Sequence, residues 1–380
     1  MSTWARHASC DATWNRHNKA VSVEFGERIR RIPAYPLAAG YNLGEDVAML
    51  ASNESCFAPH PEAINAAHRT LAGVHRYPDP AYVPLRQALS DRYGVPRERI
   101  ALGNGSCDIL LSFGEALLEP GAELIYAWPA FSVYPHLAAA SGARAIEVPL
   151  DAEDRHDLNA MAAEITVATR LVLICNPNNP TSTSLGLEEI EEFLIRVPRH
   201  VCVILDEAYV EFALAIGDTY ASLDLLRRWP NLVLLRTFSK AYGLAGLRVG
   251  YGLCGTEELR AAVDQVRQPF YLNMAAQAAA VAALHHQDEV ERRVTHTVAA
   301  RTALTDGLRA LGLWVADSDA NFIWTHLADD ADEDATIAGL RDRGVLVRAG
   351  RALGRDRSLR VTIGTDAENR RFLAAMSELV

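Results

Sequence analysis

Lysine is nearly missing from this chain of 380 residues. Only Lys19 and Lys240 occur, which leaves 35 of the 37 basic residues as arginine. Arginine keeps its proton in proteins, whereas a desolvated lysine can become a neutral amine nucleophile. The chain uses arginine wherever positive charge suffices, yet sets Lys240 between Ser239 and a glycine-rich run. That choice points to a need for an amine. The flanking stretches 232–235 and 247–252 are apolar and strand-like, so the lysine is expected inside the protein.

Other absences exclude whole classes. The six cysteines (Cys10, Cys56, Cys107, Cys175, Cys202, Cys254) show no CxxC or other ligand spacing, which fits reduced thiols in a cytoplasmic protein better than a disulfide framework. There is no HExxH among the twelve histidines, and His285 and His286 fall on different helix faces, so no metal is expected. No stretch approaches the ~20 apolar residues of a membrane helix. The N-terminal residues carry no apolar run, so no secretory signal is expected. A net charge of −11 argues against nucleic acid or an anionic membrane as partner. What is present is a 49% hydrophobic composition, enough for a large core.

Residues 1–45 read as an irregular arm with one short helix near 23–31, ended by the prolines at 33 and 36. A short strand over 50–55 runs into a polar turn, and helices follow over 61–72 and 84–93, the first with proline in its opening turn. From residue 100 onward, apolar runs of strand length at 100–102, 123–127, 145–148, 171–175, 201–205, 232–236 and 247–253 alternate with helical patterns such as 187–196 and 223–229. That alternation predicts an α/β fold with a mainly parallel seven-stranded sheet covered by helices. Beyond 255 helices dominate, and strands at 320–324, 345–348 and 359–363 suggest a smaller α+β C-terminal domain. The expected division is 1–60 for the arm and the start of the small domain, 61–275 for the large domain and 276–380 for the small one. No internal repeat or low-complexity linker separates them.

Ligands of such sheets bind beyond the carboxyl ends of the strands, and the unusual residues collect there. Gly103-Asn104-Gly105-Ser106 opens a helix whose N–H groups form an anion site. Thr237, Ser239 and Arg248 bracket Lys240 with groups that hold a phosphate. Asp206 ends an apolar strand, which is costly without a cationic or hydrogen-bonding partner, and Tyr209 lies three residues on. Asn176-Pro177-Asn178-Asn179-Pro180-Thr181 closes another strand in a rigid turn, with a cis bond a natural option at X-Pro. An amine, a phosphate cradle, a strand-end carboxylate, a phenol and an asparagine are the groups pyridoxal 5'-phosphate needs.

The motifs NPNNPT, LDEAYVEF and TFSKAYGLAGLRVGY resemble those of fold-type I pyridoxal-phosphate enzymes of aminotransferase class I/II, in the histidinol-phosphate aminotransferase-like branch. The similarity runs from about Tyr35 to Thr365. The resemblance implies that Lys240 binds the cofactor covalently and then shuttles the proton at the donor's Cα. It implies Asp206 on the pyridine nitrogen, Tyr209 and Asn179 on the ring hydroxyl, and Phe131 stacked on the ring. Ser106, Cys107, Thr237, Ser239 and Arg248 would hold the phosphate, with Tyr77 of RYPDP reaching it across a homodimer interface. Tyr35, Asn53, Arg348 and Arg360 would meet the substrate. Cys107 reads as a small filler and not a nucleophile, and Tyr134 as an ordinary core aromatic.

Three departures stand out. Ser182 occupies the place of a usual turn glycine, Cys107-Asp108 replaces a commoner acidic pair, and Tyr271 stands where asparagine is usual. About 30 N-terminal residues match no recognised pattern. The resemblance implies transamination with 2-oxoglutarate as acceptor, and histidinol phosphate is the first donor to consider. An aromatic amino acid such as phenylalanine is the alternative, since the same arginines suit a carboxylate. Decarboxylation of threonine phosphate occurs on similar sequences and would release carbon dioxide without consuming an oxo acid. A non-catalytic binding protein on this fold would have no use for the full lysine site.

Overall fold

A computed structural model describes residues 24, 26–32, 46–213 and 218–380. Tyr35, Cys10 and most of the N-terminal arm lie outside the described residues. Within them the short helix of the arm spans Glu27–Arg31.

Among the described residues thirteen strands follow in order: β1 Ala48–Met49, β2 Ile100–Gly103, β3 Glu123–Trp128, β4 Arg144–Pro149, β5 Thr169–Cys175, β6 Cys202–Asp206, β7 Leu232–Thr237, β8 Gly250–Cys254, β9 Trp314–Val315, β10 Phe322–His326, β11 Val345–Leu346, β12 Arg348–Ala349 and β13 Ser358–Thr362. Seven of them form one sheet in the order β2-β8-β7-β6-β5-β3-β4. The pairs from β4 through β7 are parallel, and only β8 runs against its neighbours β2 and β7. The continuous apolar runs have their explanation in the two cores. Ile125, Val172, Val203, Leu232 and Leu234 pack on one face. Leu124, Leu173, Ile204, Val233 and Leu235 pack on the other. Successive side chains of a strand point to opposite faces, so a sheet buried on both needs apolar residues at every position.

The smaller sheet has the order β12-β13-β10-β9. The strand expected over 50–55 is instead β1, two residues earlier, and it pairs in parallel with β11 almost three hundred residues on. The segment after it is stitched to β13: Thr362 N–H donates to Leu50 C=O (2.9 Å), and Asn53 N–H to Thr362 Oγ1 (2.9 Å). This leaves Ala51–Glu54 between the two sheets. The long helix Gln287–Ala310 bridges them. Its Arg293 donates to Ala58, Ala241 and Tyr242 carbonyls, and its Arg301 to those of Phe212 and Ala320. Both arginines therefore satisfy carbonyls that no regular element would pair.

Candidate active site

A cavity of about 400 Å³ opens at the carboxyl ends of β5, β6 and β7. Lys240, Asp206, Tyr209, Asn179, Phe131, Ser106, Cys107, Thr237, Ser239 and Arg248 all line it, as do Asn53, Arg348 and Arg360. Residues up to 309 positions apart thus share one wall-to-wall space.

The anion cradle comes from local backbone geometry. Gly105 adopts φ +81° at the start of the helix Ser106–Leu117, a conformation that is cheap only for glycine. A Cβ there would stand 2.5 Å from Arg248 Nη2. A Cβ on Gly250 would stand 2.4 Å from Ser106 N, so both glycines let the helix start, β8 and the arginine converge. Arg248 itself holds φ +58° and folds its guanidinium onto the carbonyls of Ala245 (3.0 Å) and Asn104 (3.3 Å). Thr237 Oγ1 donates to Ser239 Oγ (3.0 Å) and accepts from Ser239 N–H (3.1 Å). Helix N–H groups, two hydroxyls and one guanidinium in this arrangement suit a phosphate.

Lys240 Nζ donates to Ser52 C=O (3.3 Å) and lies 5.6 Å from the Tyr209 ring centre. Burial pushes the pKa of its amine down to about 7, helped by the positive charges of Arg360 and Arg248 and opposed by Glu54. A neutral amine is therefore populated near neutrality. Asp206 sits at the end of β6, where burial pushes its pKa up to about 6 against hydrogen bonds that favour its charge. Those bonds come from Tyr134 Oη (3.0 Å) and Ala208 N–H (3.3 Å). A carboxylate so placed is ready for a cationic partner.

Tyr134 corrects the sequence reading. It is a core aromatic by burial, fully covered at the start of helix Tyr134–Ser141, but its hydroxyl orients Asp206. Only its spacing of three from Phe131 placed it near the site, and that spacing says nothing of where a hydroxyl points. Cys107 lines the cavity with its thiol pushed up to about 11, chiefly by burial, which suits a filler. Tyr209 Oη accepts from Asn53 Nδ2 (3.1 Å). The Asn176–Pro177 bond is cis, in the turn that presents Asn179. Asn179 Oδ1 accepts from Arg360 Nη1 (2.6 Å), and Arg360 Nη2 donates to Ala51 C=O (2.6 Å). Arg348 and Arg360 are both buried and face each other as partners across β12 and β13. Tyr77 does not line the cavity; it is 80% exposed and stacks on Phe270 at 4.6 Å. Ser52, Glu54 and Leu353 line the cavity without having been singled out in the sequence. The first two adjoin Asn53, but Leu353 is a plain leucine in a loop and carries no sequence signal.

The donor set, the glycine-made cradle and the strand-end carboxylate fit pyridoxal phosphate. Residues 45–376 match the family described as aminotransferase class I and II. The chain belongs to that family. This aminotransferase is 44% identical over 367 residues to histidinol-phosphate aminotransferase 2 of Ralstonia nicotianae, covering 94% of this chain and 97% of that one. It is 41% identical over 354 residues to the aromatic amino acid aminotransferase of Cutibacterium acnes, covering 93% and 97%. Among solved structures it resembles the histidinol-phosphate aminotransferase of Sinorhizobium meliloti in complex with pyridoxal-5'-phosphate, with a TM-score of 0.83 and 27% identity over 95% of this chain and 98% of that one. The protein is a pyridoxal-phosphate-dependent aminotransferase. No helix among its described residues is long and apolar enough to cross a membrane.

Proposed function

We propose that this aminotransferase takes histidinol phosphate as amino donor and 2-oxoglutarate as acceptor. The observation that carries the reading is the pair Arg348 and Arg360, buried as register partners and lining the same cavity as the lysine. Two desolvated guanidiniums balance a phosphate dianion better than a single carboxylate. Relatives of both names are comparably similar, so charge balance supports the choice here. Phe131 and Leu353 on the same cavity favour the second reading, an aromatic amino acid as donor.

Bound pyridoxal phosphate supplies the electron sink that lets the donor's Cα–H bond break heterolytically. Lys240 is the group we assign to anchoring the cofactor, and as a free amine it would take the Cα proton; its depressed pKa suits a general base at neutral pH. Asp206, oriented by Tyr134, would hold positive charge on the pyridine nitrogen. Tyr209 and Asn179 would hold the ring hydroxyl, Phe131 would pack on the ring, and Ser106, Cys107, Thr237, Ser239 and Arg248 would hold the phosphate. Asn53 orients Tyr209 by its amide.

The reading includes a homodimer. Tyr77 is exposed and does not line its own cavity, which supports a role at a partner's. Sedimentation equilibrium of wild type and Tyr77→Ala, with the cofactor Kd of each, tests this. For the donor, the loaded enzyme is mixed separately with histidinol phosphate and with phenylalanine, and the loss of cofactor absorbance is timed. Faster conversion with histidinol phosphate supports the reading; faster conversion with phenylalanine replaces it with the aromatic one.

A further inference from the structure

One side chain reaches the cavity from an element that neither strand pairing nor the cofactor cradle holds in place. Between β12 and β13 the chain forms a loop closed at its base by Gly350 N–H to Ser358 C=O (2.7 Å) and Arg355 N–H to Gly350 C=O (3.0 Å). Its single helical turn, Arg351–Leu353, carries Leu353 onto the cavity wall, where the side chain packs with Trp324. Arg348 and Arg360 sit on the paired strands at the foot of this loop, so their places follow from sheet register. The place of Leu353 depends on what holds the tip.

Two contacts hold it, one from the large sheet and one from the loop after β4. Gly354 lies flat against Trp128 at the end of β3, at φ +103° and so close that a Cβ would come within 2.7 Å of the indole. Next to it, Arg355 pairs with Asp154, which lies between β4 and the helix Leu158–Ala163. Asp154 is 1% exposed, and its carboxylate also accepts from Trp324 Nε1 (3.2 Å) and lies 2.9 Å from His326 Nε2. It keeps φ +58°, a conformation glycine adopts at lower cost. A strained backbone and a buried charge coexist at a point that touches no cavity atom, and three side chains of the small sheet and its loop converge on it.

We propose that this loop is a specificity strap: Leu353 bounds the space for the donor's side chain, and Asp154, through Arg355, positions it from outside the cavity. The proposal rests on the aminotransferase reading above and deepens it. Leu353 is the residue that would touch substrate, whereas Asp154 and Arg355 are positioning residues. A fixed apolar wall discriminates between ring sizes by steric fit and contact, and changes of one or two carbon atoms in such a wall alter substrate ratios about tenfold.

The test measures kcat/KM for histidinol phosphate and for phenylalanine in wild type, Leu353→Ala, Asp154→Asn and Arg355→Gln. Leu353→Ala enlarges the space and is expected to shift the ratio about tenfold toward phenylalanine, whose ring is the larger. The two clasp variants are expected to shift the same ratio in the same direction by about threefold or more, and to tighten binding of the unreactive 3-phenylpropanoate measured by calorimetry. Arg355→Gln leaves Asp154 with its other two partners, so it reports on the strap even if Asp154→Asn fails to fold. A clasp that only stabilises the protein would lower Tm and leave the ratio unchanged, which overturns the proposal. So would a shift in Leu353→Ala that Arg355→Gln does not share. Should wild type itself prefer phenylalanine, the donor assignment falls, while the strap is still judged by the change between wild type and variants.

Discussion

The two walls of the cavity are built differently. One is made from the ends of β5, β6 and β7 and the start of the helix Ser106–Leu117. Its groups stand within a few residues of strands that the large sheet fixes, so Asp206, Thr237, Lys240 and Ser106 are placed by main-chain geometry. The other is made from the small sheet, its strap and the segment Ala51–Glu54. Its strands set Arg348 and Arg360 by register, but its groups are joined to the rest of the site by contacts across great sequence distance, such as Arg360 with Ala51 and Asn179. The first wall suits a cofactor held the same way in every turnover. The second suits substrates that differ, because its parts can be changed without moving the cradle.

The largest expected effect falls on the first wall. Lys240→Ala should lower the half-reaction with either donor by at least about 10⁴-fold, since anchoring and proton transfer are both lost. Stopped-flow absorbance of the loaded variant checks it, and near-normal conversion would remove the lysine from the chemistry. The same residue should cost stability. With a pKa near 7 in the folded protein and about 10.4 unfolded, the unfolded chain binds more protons between those values. Stability of the apoprotein then rises with pH across that window. Lys240→Met apoprotein should therefore melt above wild type at pH 7, with the gap closing as pH approaches about 10.

On the second wall the losses should be smaller and depend on the donor. Arg360→Gln leaves Asn179 Oδ1 and Ala51 C=O without their charged donor. Removing one partner from buried charged contacts costs about 2–5 kcal/mol, so kcat/KM for the preferred donor should fall by about 10²-fold or more. Arg348→Gln should weaken a phosphate donor more than a monocarboxylate one if the pair binds a dianion. Equal losses for both donors would mean that the pair does not distinguish a dianion from a monocarboxylate, and would remove the charge-balance argument for the phosphate donor.

Tyr134 ties the legible to the illegible. The strand-end carboxylate, the lysine, the asparagine turn and the phosphate cradle could be read because each follows a recognisable strand or opens a helix. Tyr134 could not, since a buried tyrosine is a core residue until its hydroxyl is located. The same holds for Leu353 and Asp154, whose roles exist only through partners far along the chain. Strand β8 illustrates the limit within the fold: its apolar run was evident, but the reversal against β2 and β7 depends on a connection that apolar periodicity does not encode. β8 also begins three residues later than expected, because the turn Ala245–Leu247 took its first residues, and the strand expected over 50–55 lies wholly before that stretch, at Ala48–Met49. Tyr134→Phe tests the hidden half directly. Its hydroxyl donates to the charged form of Asp206, so its loss should raise that pKa above about 6. Cofactor affinity of the apoprotein should fall about tenfold for the loss of one such bond. Its acid limb should move to higher pH; an unmoved limb would return Tyr134 to the plain core.

The smallest effect is expected at the turn that joins the two walls. Ser182 is fully buried at φ +62°, where the resembling family has glycine. Its N–H donates to Asn178 C=O (2.8 Å), and its own carbonyl accepts from Asp319 N–H (2.8 Å), next to the small sheet. A non-glycine residue in this conformation costs about 1–2 kcal/mol. Its hydroxyl offsets part of that by donating to Thr181 C=O (2.5 Å). Ser182→Gly removes the strain, but it also removes the hydroxyl and loosens the unfolded chain, which returns about 0.4–1 kcal/mol of entropy cost. The terms nearly cancel, so urea unfolding should show a change within about 1 kcal/mol, and donor preference should stay as in wild type. A large loss of stability would mean that the hydroxyl holds the Asn178–Thr183 turn by more than one hydrogen bond's worth. A change in donor ratio would mean that this turn, and not only the strap, transmits position from one wall to the other.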